Sequence, residues 1–124
     1  MIIAKSIDFF AGVPVSDYAE AAKWYEQLLG FPPAFFPNDK EAVWKLAEHR
    51  YLYIVRQPED AGHARLLMFV DDLDGIAEQI AARGLNTAKR EEPTNNVRKF
   101  TYRDADGNEI AFGGGPSRKP TPTE

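Results

Sequence analysis

The stretch VPVSDYAEAAKWYEQLLGF, residues 13–31, decides the fold. It has the pattern of a strand end, a capped amphipathic helix and a glycine stop. Asp17 can cap the first helical turn, and Glu20 follows three residues later, as a capping box requires. Gly30 comes after the last apolar pair, where the left-handed conformation that ends a helix is least costly for glycine. The apolar side chains that share one face of this predicted helix are Tyr18, Ala21, Ala22, Tyr25, Leu28 and Leu29.

A second stretch, VDDLDGIAEQIAARGL at residues 70–85, repeats this plan about 55 residues later. Asp72 takes the place of Asp17, and Gly84 takes the place of Gly30. The apolar residues of this second helix again share one face: Leu73, Ile76, Ala77 and Ile80. Two copies of one plan in a short chain predict an internal duplication.

The composition is that of an ordinary globular protein with a single core. The chain has 124 residues, of which 44% are hydrophobic and 27% charged. The absence of cysteine excludes disulfides, thiolate catalysis and cysteine-ligated metal. The net charge of −4, without a dense basic block, argues against a nucleic-acid partner. The apolar runs are too short for a signal peptide or a membrane span, so we expect a cytoplasmic location and no membrane partner.

The first predicted strand, residues 6–15, is apolar on both faces. Its side chains alternate between the set Phe9, Ala11, Val13 and Val15 and the set Phe10, Gly12 and Pro14. A strand of this kind is usually covered on both sides. One helix can cover one face, so the other face requires a cavity, a ligand or a second module.

The remaining segments complete two modules with the same order of elements. Alternation and turn-forming residues predict strands at 32–37, 41–47 and 50–56 in module one (4–56), and at 64–70, 86–92, 97–103 and 109–112 in module two (64–113). Residues 57–63 form a polar connection, and DADGN at 104–108 predicts a hairpin. We therefore predict one α+β domain at residues 1–113, with two tandem βαβββ modules, and a disordered tail at 114–124.

On these residues the sequence resembles the vicinal oxygen chelate superfamily, which joins glyoxalase I, the bleomycin-resistance proteins and the extradiol dioxygenases. The two helical stretches and YRDADGNEIAF, residues 102–112, carry the likeness, which covers about residues 4–113. It implies the glyoxalase/bleomycin-resistance fold, a curved mixed sheet around a cavity. It also implies a homodimer, because short relatives build their pockets between modules of two chains. One fold hosts many functions, so the activity must be argued from the site.

The resemblance further implies four metal-ligand positions, which family enzymes fill with His, Gln or Glu. They correspond here to Phe10, Tyr53, Arg65 and Ala111. A phenyl and a methyl group offer no lone pairs, and an arginine repels a metal ion. A hard divalent ion prefers carboxylate, imidazole or carbonyl ligands. We therefore predict no metal and no other cofactor, which argues against glyoxalase and dioxygenase chemistry.

Other residues offer little for metal binding or nucleophilic catalysis. His49 lies in a predicted turn and His63 in the connection, and we expect both to be solvated. His63 shares a strand face with Arg65 and could reach a cavity mouth, while Glu109 could bring one carboxylate near Ala111. No serine lies in a nucleophile-elbow pattern, and the triple glycine at 113–115 lacks the context of a phosphate loop.

What remains is a group of aromatic side chains with a few polar partners. Such walls suit a planar or amphipathic small molecule. Arg65 could pair with a carboxylate or phosphate of that ligand, or with Glu109 or Asp8 inside the protein. The candidate ligand-binding residues are Phe10, Trp44, Tyr51, Tyr53, Arg65, Phe69, Phe100, Tyr102 and Glu109.

Three functional hypotheses follow. The first is a metal-independent binding protein of the bleomycin-resistance type, which sequesters an aromatic or amphipathic molecule without turning it over. The second is a glyoxalase-like lyase or isomerase, or a dioxygenase-related enzyme, with a metal held by Glu109 and His63 or with a tyrosine or Glu109 as acid–base. The third is a scaffold whose cavity is filled by its own side chains.

Overall fold

The computed structural model describes residues 1–94 and 96–116. Within them the order of elements is βαβββ twice, as predicted, with a short 3-10 turn at Pro58–Asp60 between the modules. The elements are β1 (Phe9–Val15), α1 (Tyr18–Leu29), β2 (Phe35–Asn38), β3 (Glu41–Ala47), β4 (Arg50–Arg56), β5 (Arg65–Phe69), α2 (Leu73–Ala82), β6 (Lys89–Thr94), β7 (Val97–Arg103) and β8 (Glu109–Gly114).

Each module forms its own mixed four-stranded sheet. The strand orders are β1-β4-β3-β2 and β5-β8-β7-β6. The pairs β1–β4 and β5–β8 are parallel, and the other neighbours are antiparallel. The two sheets therefore have the same topology, which confirms the predicted α+β fold of two tandem modules.

Helix α1 begins and ends as its sequence predicts. The Asp17 carboxylate accepts a hydrogen bond from the backbone N–H of Glu20 at 3.1 Å, which caps the first turn. Gly30 ends the helix with φ 91°, in the left-handed region. Ala21, Tyr25 and Leu28 are buried, so the predicted apolar face is the one that packs on the sheet.

Helix α2 repeats this construction. The Asp72 carboxylate accepts from the backbone N–H of Gly75 at 3.1 Å. Gly84, with φ 97°, again follows the helix in the left-handed region, but it comes one residue after the C-cap Arg83, whereas Gly30 is itself the C-cap of α1. The buried residues of the helix are Leu73, Ala77 and Ile80.

No helix in the described part of the chain is long and apolar enough to span a membrane.

One apolar core lies between the helices and one face of each sheet. The strand residues that face it are Val13, Val15, Ala42, Trp44, Leu52 and Ile54 from the first sheet and Phe100, Tyr102, Ile110 and Phe112 from the second. We call the opposite face of each sheet the open face. By register, it carries Phe10, Gly12, Lys45, Tyr51 and Tyr53 in the first sheet and Arg65, Leu67, Phe69, Lys99, Thr101, Arg103, Glu109 and Ala111 in the second.

A buried polar network joins the second hairpin to the first module. Asn108 is fully buried, and its amide group donates to the Pro14 carbonyl at 2.9 Å and to Asp104 at 2.8 Å. The Tyr25 hydroxyl of α1 donates to the same Asp104 carboxylate at 2.7 Å. The Asn108–Pro14 and Tyr25–Asp104 hydrogen bonds each join residues of different modules, so they fix how the modules pack.

Five strands differ from the predicted boundaries. Strand β1 begins at Phe9 rather than at residue 6, β2 runs over Phe35–Asn38 rather than 32–37, and β5 is one residue shorter at each end. Strand β6 runs over Lys89–Thr94 rather than 86–92, and it tolerates Pro93 because it is an edge strand. Strand β8 continues through Gly114. A Cβ at Gly114 would lie 2.8 Å from the Leu73 side chain, so the end of the strand is packed against α2 rather than part of a tail. Residues 117–124 of the predicted tail lie outside the described residues.

Candidate ligand-binding site

Two aromatic rings stack on the open face of the first sheet. Phe10 of β1 and Tyr51 of β4 are register partners, with ring centroids 4.5 Å apart and planes 10° from parallel. Tyr53 lies over the next position of β1, where a Cβ on Gly12 would come within 2.5 Å of its ring. Gly12 therefore leaves the room that the Tyr53 ring occupies. The structure thus brings together three of the predicted site residues.

A cleft of about 1040 Å³ runs between β1 of the first module and β5 of the second. Phe10 and Tyr51 line one side, and Arg65 and Leu67 line the other. The segment before β1 contributes Lys5, Ser6 and Ile7, and the turn before β4 contributes Glu48 and His49. The cleft is open rather than filled by side chains, which disagrees with the hypothesis of a filled scaffold.

The polar wall of the site is a row of charges across the second sheet. Arg65, Glu109 and Arg103 are register partners on β5, β8 and β7. The Glu109 carboxylate lies 3.6 Å from Nε of Arg65 and 3.3 Å from Nε of Arg103. Arg65 therefore does both things that the sequence left open: it lines the cleft, and it contacts Glu109.

His49 also lines the cleft. It lies in the predicted turn before β4, with φ 65°, and its Nδ1 is 2.7 Å from the Asp8 carboxylate. Both side chains are more than half exposed, so the expectation of a solvated histidine is confirmed. His63 is exposed as well and does not line the cleft.

Trp44 does not line the cavity, and that prediction is wrong. Its side chain is fully buried, its indole N–H donates to the Phe31 carbonyl at 2.9 Å, and its ring lies 6.1 Å from that of Tyr25. The register explains the error, since Trp44 pairs with Leu52 on the core face and not with the tyrosines of the open face.

The prediction that Phe100 and Tyr102 line the cavity is wrong for the same reason. Both are almost completely buried, and the Tyr102 ring packs edge-on against Phe112 at 6.0 Å. The guanidinium of Arg90 covers the Phe100 ring at 4.2 Å. Phe69, in contrast, lies on the open face and is 66% exposed, although it does not line the cleft.

Two tyrosines with raised pKa values lie in the core. Burial and the adjacent Asp104 carboxylate raise the pKa of Tyr25 far above its ordinary value. Burial also raises the pKa of Tyr102. Because desolvation disfavours the phenolate, both hydroxyls stay protonated at neutral pH, and that of Tyr25 is a hydrogen-bond donor to Asp104.

Comparison with known proteins assigns the family. The sequence profile of the Glyoxalase/Bleomycin resistance protein/Dioxygenase superfamily matches residues 6–112. The chain belongs to this superfamily. No curated protein is significantly similar to it.

Solved structures of this superfamily share the fold. The glyoxalase/bleomycin resistance protein from Catenulispora acidiphila is 51% identical, with a TM-score of 0.86 over 90% of this chain and 100% of that one. TnmS3, an antibiotic-binding protein from Streptomyces, is 25% identical, with a TM-score of 0.69 over 94% and 100%. A bleomycin-binding protein complexed with bleomycin is 18% identical, with a TM-score of 0.70 over 90% and 100%.

The four superfamily metal positions do not fit a divalent ion in this chain. The Phe10 ring is stacked on Tyr51, the Arg65 guanidinium faces Glu109, and Ala111 offers a buried methyl group. In residues 1–94 and 96–116, no group of three or more His, Asp or Glu side chains could hold a metal ion. The site therefore presents aromatic surface and arginine where a superfamily metalloenzyme requires oxygen and nitrogen ligands.

Several residues of the site are absent from the candidates predicted from the sequence. Lys99 and Arg103 lie on the open face, because they alternate along β7 with the core residues Phe100 and Tyr102, and Arg103 is the register partner of Glu109. That alternation is visible in the sequence and could have revealed them. The contribution of Lys5 has no such signal, since it depends on how the chain enters β1.

Proposed function

We propose that this chain is a small-molecule-binding protein of the glyoxalase/bleomycin-resistance type, which binds an aromatic or amphipathic ligand in the cleft without a metal ion. The observation that carries the proposal is the stacked pair Phe10 and Tyr51 in the wall of a 1040 Å³ cleft. Tyr51 covers one side of the Phe10 ring, and Phe10 remains 47% exposed. A planar ligand can extend this stack and displace water from apolar surface.

Ligand binding in the cleft can be tested with phenylnaphthylamine, an uncharged aromatic probe whose fluorescence rises in apolar surroundings. We expect saturable binding of one probe per chain. Replacing Phe10 by alanine should weaken the affinity about tenfold, because the stacking surface is lost. Phe36→Ala is the matched control, since Phe36 is an exposed aromatic residue outside the cleft. The proposal fails if the probe does not bind, or if both variants weaken binding equally.

A metal-free site is part of this proposal and has its own test. We expect elemental mass spectrometry of the purified protein to find no stoichiometric metal, and we expect no thermal shift on adding Zn²⁺, Ni²⁺, Mn²⁺ or Mg²⁺. One equivalent of bound metal, or a saturable shift that Glu109→Ala removes, would favour the enzyme hypothesis instead.

We also propose a homodimer in which a second copy packs against Phe69, which lies on the open face of the second sheet but outside the cleft. The Phe69 side chain is 66% exposed and neighbours Leu67, which is 52% exposed, so this edge of the sheet carries an exposed apolar patch. Two-fold pairing is the commonest assembly of soluble proteins. Light scattering should give the mass of two chains, and Phe69→Lys should reduce it to one. Phe31→Lys, on the side of α1, should leave it unchanged.

A cytoplasmic location remains a prediction from the sequence. Fractionation of cells that express the protein would test it, and recovery with membranes would contradict it.

A further inference from the structure

A second, smaller cavity of about 260 Å³ opens beside the cleft on the second sheet. It shares Arg65, Leu66 and Leu67 with the cleft, so the two cavities adjoin at β5. Its remaining walls are Lys99 and Glu109, and the buried methyl group of Ala111 forms its floor. The small side chain at position 111 leaves space between charged groups on the neighbouring strands.

Positive charge exceeds negative charge around this cavity. The open face of the second sheet carries four basic side chains and two carboxylates, namely Arg65, Lys89, Lys99 and Arg103 against Glu91 and Glu109. The chain as a whole has a net charge of −4, so this local excess runs against the overall composition. A local excess of this kind attracts anions to the site.

The basic groups are only partly engaged. Both arginine contacts to Glu109 run through Nε, at 3.6 and 3.3 Å, which is longer than the usual separation of about 2.7–2.9 Å in a strong charge-assisted bond. Arg98 shows the alternative, since its two terminal nitrogens bind Asp74 at 2.8 and 3.1 Å. An exposed, long ion pair contributes little to stability, so Arg65 can turn to a ligand at small cost.

We infer that the ligand of this site carries an anionic group, a carboxylate, sulfonate or phosphate, that binds between Arg65 and Lys99 while its aromatic part lies in the cleft. This inference rests on the proposed function, and it names the class of ligand: an amphipathic aromatic anion. Two oxygens of such an anion can accept parallel hydrogen bonds from the guanidinium of Arg65, and Lys99 adds a second positive charge.

Two probes that differ only in a sulfonate test the inference. Anilinonaphthalenesulfonate is the anionic counterpart of phenylnaphthylamine, and we expect it to bind about tenfold more tightly. Arg65→Gln should remove this advantage, so that the anionic probe binds no more tightly than the uncharged one. Arg56→Gln, an exposed arginine outside the cleft, is the matched control. Raising the salt concentration from about 50 to 500 mM should weaken binding of the anionic probe only.

Glu109→Gln is expected to change the affinity for the anionic probe in the opposite direction. Removing its negative charge should strengthen binding of the anionic probe about threefold, because a like charge near the sulfonate is lost. A purely structural role of Glu109 would weaken the binding of both probes instead. Circular dichroism should confirm that each variant is folded before titration.

The outcomes separate this inference from the proposed function. If the two probes bind equally and Arg65→Gln changes neither affinity, the anion site is wrong and the aromatic cleft stands. If neither probe binds, the proposed function itself fails. A tenfold preference for the anion that Arg65→Gln removes and Arg56→Gln retains supports both.

Discussion

The two modules are built alike toward the core and differently toward the open face. Position 10 of β1 corresponds to position 65 of β5, and their register partners are residues 51 and 109. In the first module this pair is the aromatic stack of Phe10 and Tyr51, and in the second it is the ion pair of Arg65 and Glu109. Equivalent positions of the duplicated fold thus carry an apolar surface in the first module and a charged surface in the second.

The difference shows which side of the sheet specifies the fold. On the core side both modules present buried apolar residues to a capped helix, because that packing holds each sheet to its helix. The open face contributes little to this packing, so its side chains can differ between modules without changing the topology. Together the two open faces provide an amphipathic surface that neither module has alone.

The largest effect on stability is expected when substitutions on the two faces of the first sheet are compared. Trp44→Ala on the core face should lower the free energy of unfolding by about 3–5 kcal/mol, because it opens a cavity in the core. Tyr51→Ala on the open face should lower it by less than about 1.5 kcal/mol, since only part of the ring is buried. Urea unfolding measures both. Equal losses would contradict the assignment of the faces.

A substitution at the junction of the two modules should destabilise the protein nearly as much. Asn108→Ala removes the donor to the Pro14 carbonyl and the acceptor of the backbone N–H groups of Gly62 and Ala64. We expect a loss of about 2–4 kcal/mol in the free energy of unfolding, since these buried groups are left without a partner. Asn86→Ala, at an exposed asparagine, should change it by less than about 0.5 kcal/mol. A small effect at Asn108 would mean that the modules pack independently of this network.

High pH should weaken the same junction through Tyr25. Its pKa is higher in the folded protein than in the unfolded chain, so the folded state retains a proton that the unfolded state releases above about pH 10. The stability is therefore complete below pH 10 and falls by up to about 1.4 kcal/mol per pH unit above it. Tyr25→Phe should flatten this slope in urea titrations from about pH 8 to 11. An unchanged slope would contradict the role of Tyr25.

The smallest expected effects compare the two helix caps. Asp17→Ala and Asp72→Ala should each lower the free energy of unfolding by about 1 kcal/mol, because each removes an acceptor of a backbone N–H in the first turn. Asp17→Asn should keep most of the stability, since the amide oxygen can still accept. Thermal unfolding of the three variants measures the difference. Strongly unequal alanine effects would show that the duplication does not extend to the caps.

Most of the fold could be predicted from the sequence because its signals are local. The cap at Asp17, the glycine at position 30 and the apolar face between them depend on neighbours within a few turns, and α1 begins and ends accordingly. The second copy around Asp72 made the duplication visible. Less of the site could be predicted, because the candidate list mixed residues of both sheet faces.

The sequence by itself therefore determined the helices, the order of strands and the two sets of side chains on each strand. Only the tertiary structure decided which set faces the core. Alternation along a strand separates two sets of side chains, but it does not say which set a helix will cover. That step placed Trp44 in the core and left Tyr51 in the cleft. The meeting of Arg65 with Glu109 was likewise decided by strand register, which joins residues far apart in the chain.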